Sequence, residues 1–179
     1  MDTDAPRSTT GTDLRTEPRS DPRSDPRWLD DEEMRAWRGL VELTNNLQAE
    51  LDAELVPFGL AEGDYGVLVS LSEAPDRRMR MCDLACRLHL SPSGLTRRLD
   101  GLVRDGLVVR EPSPDDRRVS LAVLTDDGLA RLEEAAPAHV ESVRRHLLDH
   151  LTRAQIRQLG SAFESVQRRR AGIGAAAAS

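Results

Sequence analysis

Apolar residues recur along this 179-residue chain in several rhythms, and each rhythm predicts a different element. From Trp28 onward, Met34, Trp37, Leu40, Val41, Thr44, Leu47, Leu51 and Leu55 return at intervals of three and four, the stripe of a long amphipathic helix. Asp30, Asp31, Glu32 and Glu33 suit its positive amino end, and Pro57 with Gly59 stops it. A second helix is expected from about Glu62 to Glu73, carrying Tyr65, Val67, Leu68 and Leu71, with a turn at Ala74-Pro75-Asp76. Met79 and Met81 alternate with Arg78 and Arg80 as in a short strand, which leads into a third helix from Cys82 to Leu88.

The stretch from Leu90 to Gly106 is the most informative. Ser91 is a good helix cap, Pro92 fits the first helical position, and Gly106 is placed to end the helix in a left-handed turn. Leu95, Leu99, Leu102 and Val103 share one face; Ser93, Arg97, Asp100 and Arg104 lie opposite, with Gly94 and Thr96 on the flanks. A short helix with one leucine face and one small, polar, cationic face, entered by a tight turn from another helix, is a helix-turn-helix. Leu107 to Arg110 and Val119 to Leu124 then read as strands around the turn-rich loop Pro112 to Arg118, a hairpin wing. Thr125 caps a further helix in which Leu129, Leu132, Ala136, Val140, Val143, Leu147 and Leu151 keep the period, with a kink expected at Pro137. A last helix starts at Thr152 and carries Ile156, Leu159, Phe163 and Val166.

The organisation that follows is a polar tail over 1–27, a helix over 28–57, a winged helix-turn-helix over 60–124 and closing helices over 125–170. Within the third of these, the recognition helix spans 91–105 and the wing 108–124. Residues 171–179 form an Ala-Gly tail. The first tail alternates Pro, Arg, Ser and Asp with almost nothing apolar, so it cannot bury enough surface to order itself, and disorder is expected there, as in the closing tail. The fold class is mainly α with a small β-wing.

Composition sharpens this picture. Aromatics make up 3% of the chain, which weighs against recognition of single strands by base stacking. All 25 basic residues are Arg, yet the formal charge is −6, the wrong sign for a partner of nucleic acid. The distribution reverses that objection. From Arg77 to Arg118 there are ten Arg against six acids, a local excess of +4, and phosphate responds to the local field. No apolar run is long enough for a membrane span and none resembles a signal peptide, so a cytoplasmic protein without membrane association is expected. No nucleophile triad, phosphate loop or His-Glu-x-x-His is present, and neither an enzyme nor a cofactor is expected.

Three stretches in order carry a family resemblance: Arg80-Met81-Cys82-Asp83-Leu84-Ala85, Leu90-Ser91-Pro92-Ser93-Gly94-Leu95-Thr96-Arg97, and Asp116-Arg117-Arg118 followed by Leu121 and Leu124-Thr125. Over about residues 30 to 168 the chain resembles the MarR family of winged helix-turn-helix regulators. The resemblance implies a six-helix homodimer whose outermost helices, about 30–56 and 152–170, intertwine. It also implies double-stranded DNA as partner, with two recognition helices in successive major grooves of a palindrome, half-sites about 10 bp apart. Its third implication is a repressor released by a small aromatic or anionic effector. Under that reading Ser91, Ser93, Gly94, Thr96 and Arg97 face the major groove, with Arg97 reading a base or holding phosphate. Arg118 enters the minor groove, oriented by Asp116 and assisted by Arg117. Arg80 and Arg104 meet phosphate; Arg98 does so or forms an internal salt bridge.

Trp37, Arg38 and Tyr65 are candidates for an effector pocket, although core packing accounts equally for Trp37 and Tyr65. Cys82, Cys86 and His89 would share one helical face, and a thiol- or metal-sensing regulator is the alternative function they suggest. Cys at core-facing positions of a small helix is the commoner arrangement, so these residues are expected to pack and no metal is expected.

Overall fold

The structure is a computed structural model that describes residues 26–177, with side chains up to Arg170. The tail expected over 1–27 lies, except for its last two residues, outside the described residues. Six helices and three strands follow one another: α1 (Asp31–Leu55), α2 (Glu62–Ser72), β1 (Arg78–Arg80), α3 (Met81–Arg87), α4 (Pro92–Arg104), β2 (Val108–Pro112), β3 (Ser120–Leu124), α5 (Asp126–His146) and α6 (Arg153–Ala177). The chain divides into two units after Gly39, a boundary that falls inside α1.

In the first unit, α1 begins with a capping box. Asp30 accepts through Oδ1 from the amides of Glu32 and Glu33, and Glu33 accepts in return from the Asp30 amide at 3.1 Å. The apolar stripe of this helix is exposed here, with Trp37 56% accessible.

The second unit holds the core. In α2 the buried residues Tyr65, Val67, Leu68, Ser70 and Leu71 go nearly round the helix, as befits an element enclosed by others. Leu51 and Leu55 from the end of α1, Leu84 from α3, Leu95 and Leu99 from α4 and Leu132 from α5 are also buried. Each such leucine contributes about 1.5–3 kcal/mol by leaving water. The sheet is antiparallel in the order β1-β3-β2, with Arg78 opposite Val123 and Val108 opposite Leu124. Met79 packs against the core, while Arg78 and Arg80 point out from either side of it.

Close packing welds α5 to the sheet. The Thr125 hydroxyl accepts from the Gly128 amide, capping α5, and donates toward the Gly106 and Leu107 carbonyls. A Cβ on Gly128 would lie 2.1 Å from the Leu107 oxygen, so only glycine lets the helix approach this closely. Farther along, Arg131 donates to the Phe58 carbonyl at 2.6 Å. Helix α5 runs from Asp126 to His146 as one element with Pro137 inside it. Helix α6 likewise continues to Ala177, through part of the Ala-Gly stretch expected to be disordered, in keeping with alanine's helix preference.

His139 of α5 stacks on Tyr65 of α2 with ring centroids 4.3 Å apart, and its Nδ1 is buried without a partner among the described residues. Burial holds its pKa below the usual 6.5, although Glu62 acts in the opposite direction. The same burial pushes the Tyr65 phenol upward.

Two predictions concern this packing. Gly128→Ala should lower unfolding stability by roughly 1–3 kcal/mol, whereas Gly160→Ala, in open space on α6, should raise it by about 0.5–1 kcal/mol. Equal denaturation midpoints for Gly128→Ala and the parent would contradict the close approach. For His139 the unfolded chain binds the proton more readily than the folded one. Stability is therefore full above pH 6.5 and declines as pH falls below it. Denaturation curves from pH 8 to 5 should show a smaller decline in His139→Phe, which keeps a ring against Tyr65; an unchanged decline would assign the effect to other groups.

Candidate nucleic-acid interface

Helix α4 is built to show one face and hide the other. Leu95, Leu99 and Leu102 are buried and anchor it. Val103, expected on the same face, is exposed, because the buried arc is narrow and Val103 lies at its edge. At the amino end the Ser91 hydroxyl accepts from the Gly94 amide at 3.1 Å and lies 3.2 Å from the Ser93 hydroxyl. Its role in this structure is thus the cap. A Cβ on Gly94 would stand 3.1 Å from the same hydroxyl, so glycine keeps the first turn tight. The Thr96 hydroxyl donates to the Pro92 carbonyl. Ser93, Thr96 and Arg97 are exposed, and Gly106 ends the segment at φ +74, as its position predicted.

The ten arginines between Arg77 and Arg118 divide in half. Five meet carboxylates: Arg77 with Asp126, Arg87 with Glu73, Arg98 with Asp64, Arg104 with Asp105 and Arg110 with Asp100. The other five, Arg78, Arg80, Arg97, Arg117 and Arg118, have no ion-pair partner among the described residues. They lie on β1, on α4 and at the end of the β2–β3 loop, and all are exposed. A guanidinium without an internal carboxylate keeps its full charge for an external anion.

This division revises the candidates. Arg98 forms the internal salt bridge: Nη1 lies 3.1 Å from Asp64 Oδ1, with both side chains about a third exposed or less. Asp64 also accepts from the Ala61 amide through its other oxygen, so one carboxylate caps α2 and holds α4. Arg104 is paired with its neighbour Asp105 at the open surface, a weak restraint. In the wing, Asp116 accepts from the backbone amide of Arg118 at 2.9 Å, while the Arg118 guanidinium has no contact with it. Asp116 therefore shapes the turn and leaves the Arg118 side chain free. The loop is closed by the Ser113 amide donating to the Val119 carbonyl, and the Val119 amide to that of Asp116.

Cys82 and Cys86 correct another expectation: both are exposed, because Leu84 and Ala85 take the inner face of α3. His89 lies beyond the end of α3 with its backbone at φ +53, so it shares no helical face with them. Among the described residues no group of three or more His, Cys, Asp or Glu is placed to hold a metal ion. Trp37 and Arg38 are exposed on α1, and Tyr65 is buried against His139. Three residues escaped sequence reading. Arg78 was visible as the residue two before Arg80 on the same short strand. Asp64, in the first turn of α2, gave no sign of a partnership with Arg98. Arg110, from the wing to α4, gave no local sign.

Three helices, a turn between the second and third, and a hairpin carrying unpaired arginines define a winged helix-turn-helix protein. The profile of the MarR family matches residues 60–120. The transcriptional repressor YetL of Bacillus subtilis (strain 168) is 30% identical over 139 residues, 76% of this chain and 83% of that protein. AbsC, a MarR family transcriptional regulator from Streptomyces coelicolor, has a crystal structure that superposes with TM-score 0.77 at 41% identity, covering 82% of this chain and 99% of AbsC. Sco3205, a MarR family regulator from the same organism crystallised with DNA, gives TM-score 0.76 at 39% identity over 80% of this chain and 91% of its own. The chain belongs to the MarR family.

Proposed function

We propose that this chain is a homodimeric transcriptional repressor that binds double-stranded DNA in a sequence-specific way. The observation that carries the reading is the set of five exposed arginines without internal partners, on β1, on the helix that follows the tight turn, and on the wing. Arg97 reads a base in the major groove, with Ser93, Gly94 and Thr96 at the small polar end of α4. Arg118 enters the minor groove with Arg117 beside it, and Arg78 and Arg80 meet phosphate. The overall charge of −6 limits indiscriminate binding, while the local cations supply the contact.

Dimerisation is supported by the end helices. Leu40, Val41 and Leu43 on α1 and Phe163 and Val166 on α6 are all exposed in the single chain, an arrangement that favours a partner surface. Charge complements this. Helix α1 has seven acids (Asp31, Glu32, Glu33, Glu42, Glu50, Asp52, Glu54) against two Arg. Helix α6 has five Arg (Arg153, Arg157, Arg168, Arg169, Arg170) against one acid. A twofold dimer then places two α4 helices on half-sites about 10 bp apart.

A finer reading concerns release. A cavity of about 540 Å³ is lined by Gln48 and Asp52 of α1, Glu62, Gly63 and Gly66 of α2, Arg87 and Leu88 near the end of α3, and Arg98 of α4. Trp37, Arg38 and Tyr65 are not among its lining residues. A small anion there would compete with Asp64 for Arg98, and α4 would lose a restraint. Only a ligand that favours the altered state can shift the balance.

Gel shifts against the DNA upstream of its own coding region, with salt and random competitor titrated, test the main reading. Arg97→Ala should weaken specific binding by about 1–3 kcal/mol and flatten sequence preference, and Arg118→Ala should lose affinity chiefly at A·T-rich flanks. Equal losses on operator and random DNA would refute base reading. For release, benzoate and related anionic aromatics should dissociate the parent complex and leave an Arg98→Met complex intact; a panel without effect contradicts the effector and spares the DNA-binding reading.

A further inference from the structure

One side chain joins the wing to the recognition helix. Arg110 stands on β2 opposite Ala122 of β3 and reaches back to α4. Its Nη2 donates to the Thr96 carbonyl at 3.0 Å and lies 2.9 Å from Asp100 Oδ1. A helix carbonyl has a second lone pair, so Thr96 accepts this bond without giving up its place in the helix. The side chain is 32% exposed, against 77% for that of Arg104, and two acceptors hold one nitrogen.

The position of this link matters more than its strength. Val108, two residues earlier on β2, is fully buried and roots the hairpin in the core. Arg110 extends the attachment by two residues toward the tip. Beyond it, no side-chain hydrogen bond or ion pair joins the hairpin to α4 among the described residues. On α4 the link falls on Thr96, the residue before Arg97, and on Asp100, one turn later.

Resting on the DNA-binding reading above, we infer that Arg110 is a positioning residue that fixes the wing against the recognition helix, so that Arg97 and Arg118 engage one half-site together. Two contacts on one rigid body act as linked binding events: once the first forms, the second is intramolecular and its effective concentration is set by the geometry between them. A loosened hairpin must be ordered at the moment of binding, which costs part of the gain. Arg110 has a second effect, because it neutralises Asp100, whose side chain is 59% exposed on the helix proposed to enter the polyanionic major groove. The two effects can be separated.

The experiment selects an operator from random duplexes with the full parent chain. It then measures affinity for that operator, for the operator with its A·T flanks replaced, and for random DNA. Arg110→Ala should weaken operator binding roughly tenfold and abolish the parent's preference for A·T flanks, with the salt slope unchanged since no phosphate contact is removed. Arg110→Ala combined with Asp100→Asn should restore random-DNA affinity but not flank preference. If the double variant regains the parent's flank preference, Arg110 only neutralises Asp100 and the inference fails. A salt slope reduced by about one, with equal loss on all duplexes, would make Arg110 a phosphate contact and overturn it too. Should Arg110→Ala not fold, Arg110→Lys decides: reduced flank preference at unchanged random-DNA affinity supports positioning, and full preference overturns it. A parent chain that enriches no sequence overturns the functional reading itself, and this inference with it.

Discussion

Everything that α4 can do on its outer face depends on how it is held on its inner one. Leu95, Leu99 and Leu102 sit in the common core with Val67 and Leu68 of α2, Leu84 of α3 and Val108 of β2. Three buried leucines on a thirteen-residue helix supply the free energy that lets the opposite face stay polar, small and cationic without unwinding. The same core also receives the base of the wing, since Val108 and Leu124 face each other across the hairpin and both are buried. Recognition helix and wing are thus two outgrowths of one apolar cluster, and what differs between them is the polar chemistry that trims each.

That trimming is electrostatic. A chain without lysine relies on guanidinium groups for both structure and contact, and the distinction between the two uses lies in whether a carboxylate is within reach. Asp64, Asp100, Asp105, Asp126 and Glu73 each pair with one arginine. Partly covered pairs such as Arg98 with Asp64 define geometry, whereas Arg104 with Asp105 at the open surface adds little. Local excess of positive charge in the linear sequence is therefore a poor guide to which arginines are available.

Much of the fold was legible because its rules are local. Ser91, Thr125 and Gly106 were identifiable as caps and a stop from their neighbours alone, and the structure places each in that role. The alternation around Met79 was enough for β1. What escaped was set by contacts distant along the chain: Arg98 finds Asp64 at a separation of 34 residues, and Arg131 finds Phe58 at 73. Gly128 reads as an ordinary glycine in a helix until the Leu107 carbonyl is seen against it. The cysteines of α3 misled for a related reason. A seven-residue helix can bury only a few positions, and periodicity does not say which of two adjacent arcs will face in.

In the proposed dimer, the apolar side chains exposed along α1 and α6 tie folding to abundance. A protomer that completes its hydrophobic surface only by meeting another copy has no fixed stability of its own; the folded fraction rises with the amount of chain present, by mass action. Newly made copies at low number would spend longer with Trp37, Phe163 and Val166 in water, open to proteolysis and to chance association. Scarcity would thus be self-reinforcing and plenty self-protecting, so the level of the regulator would have a threshold written into its own end helices.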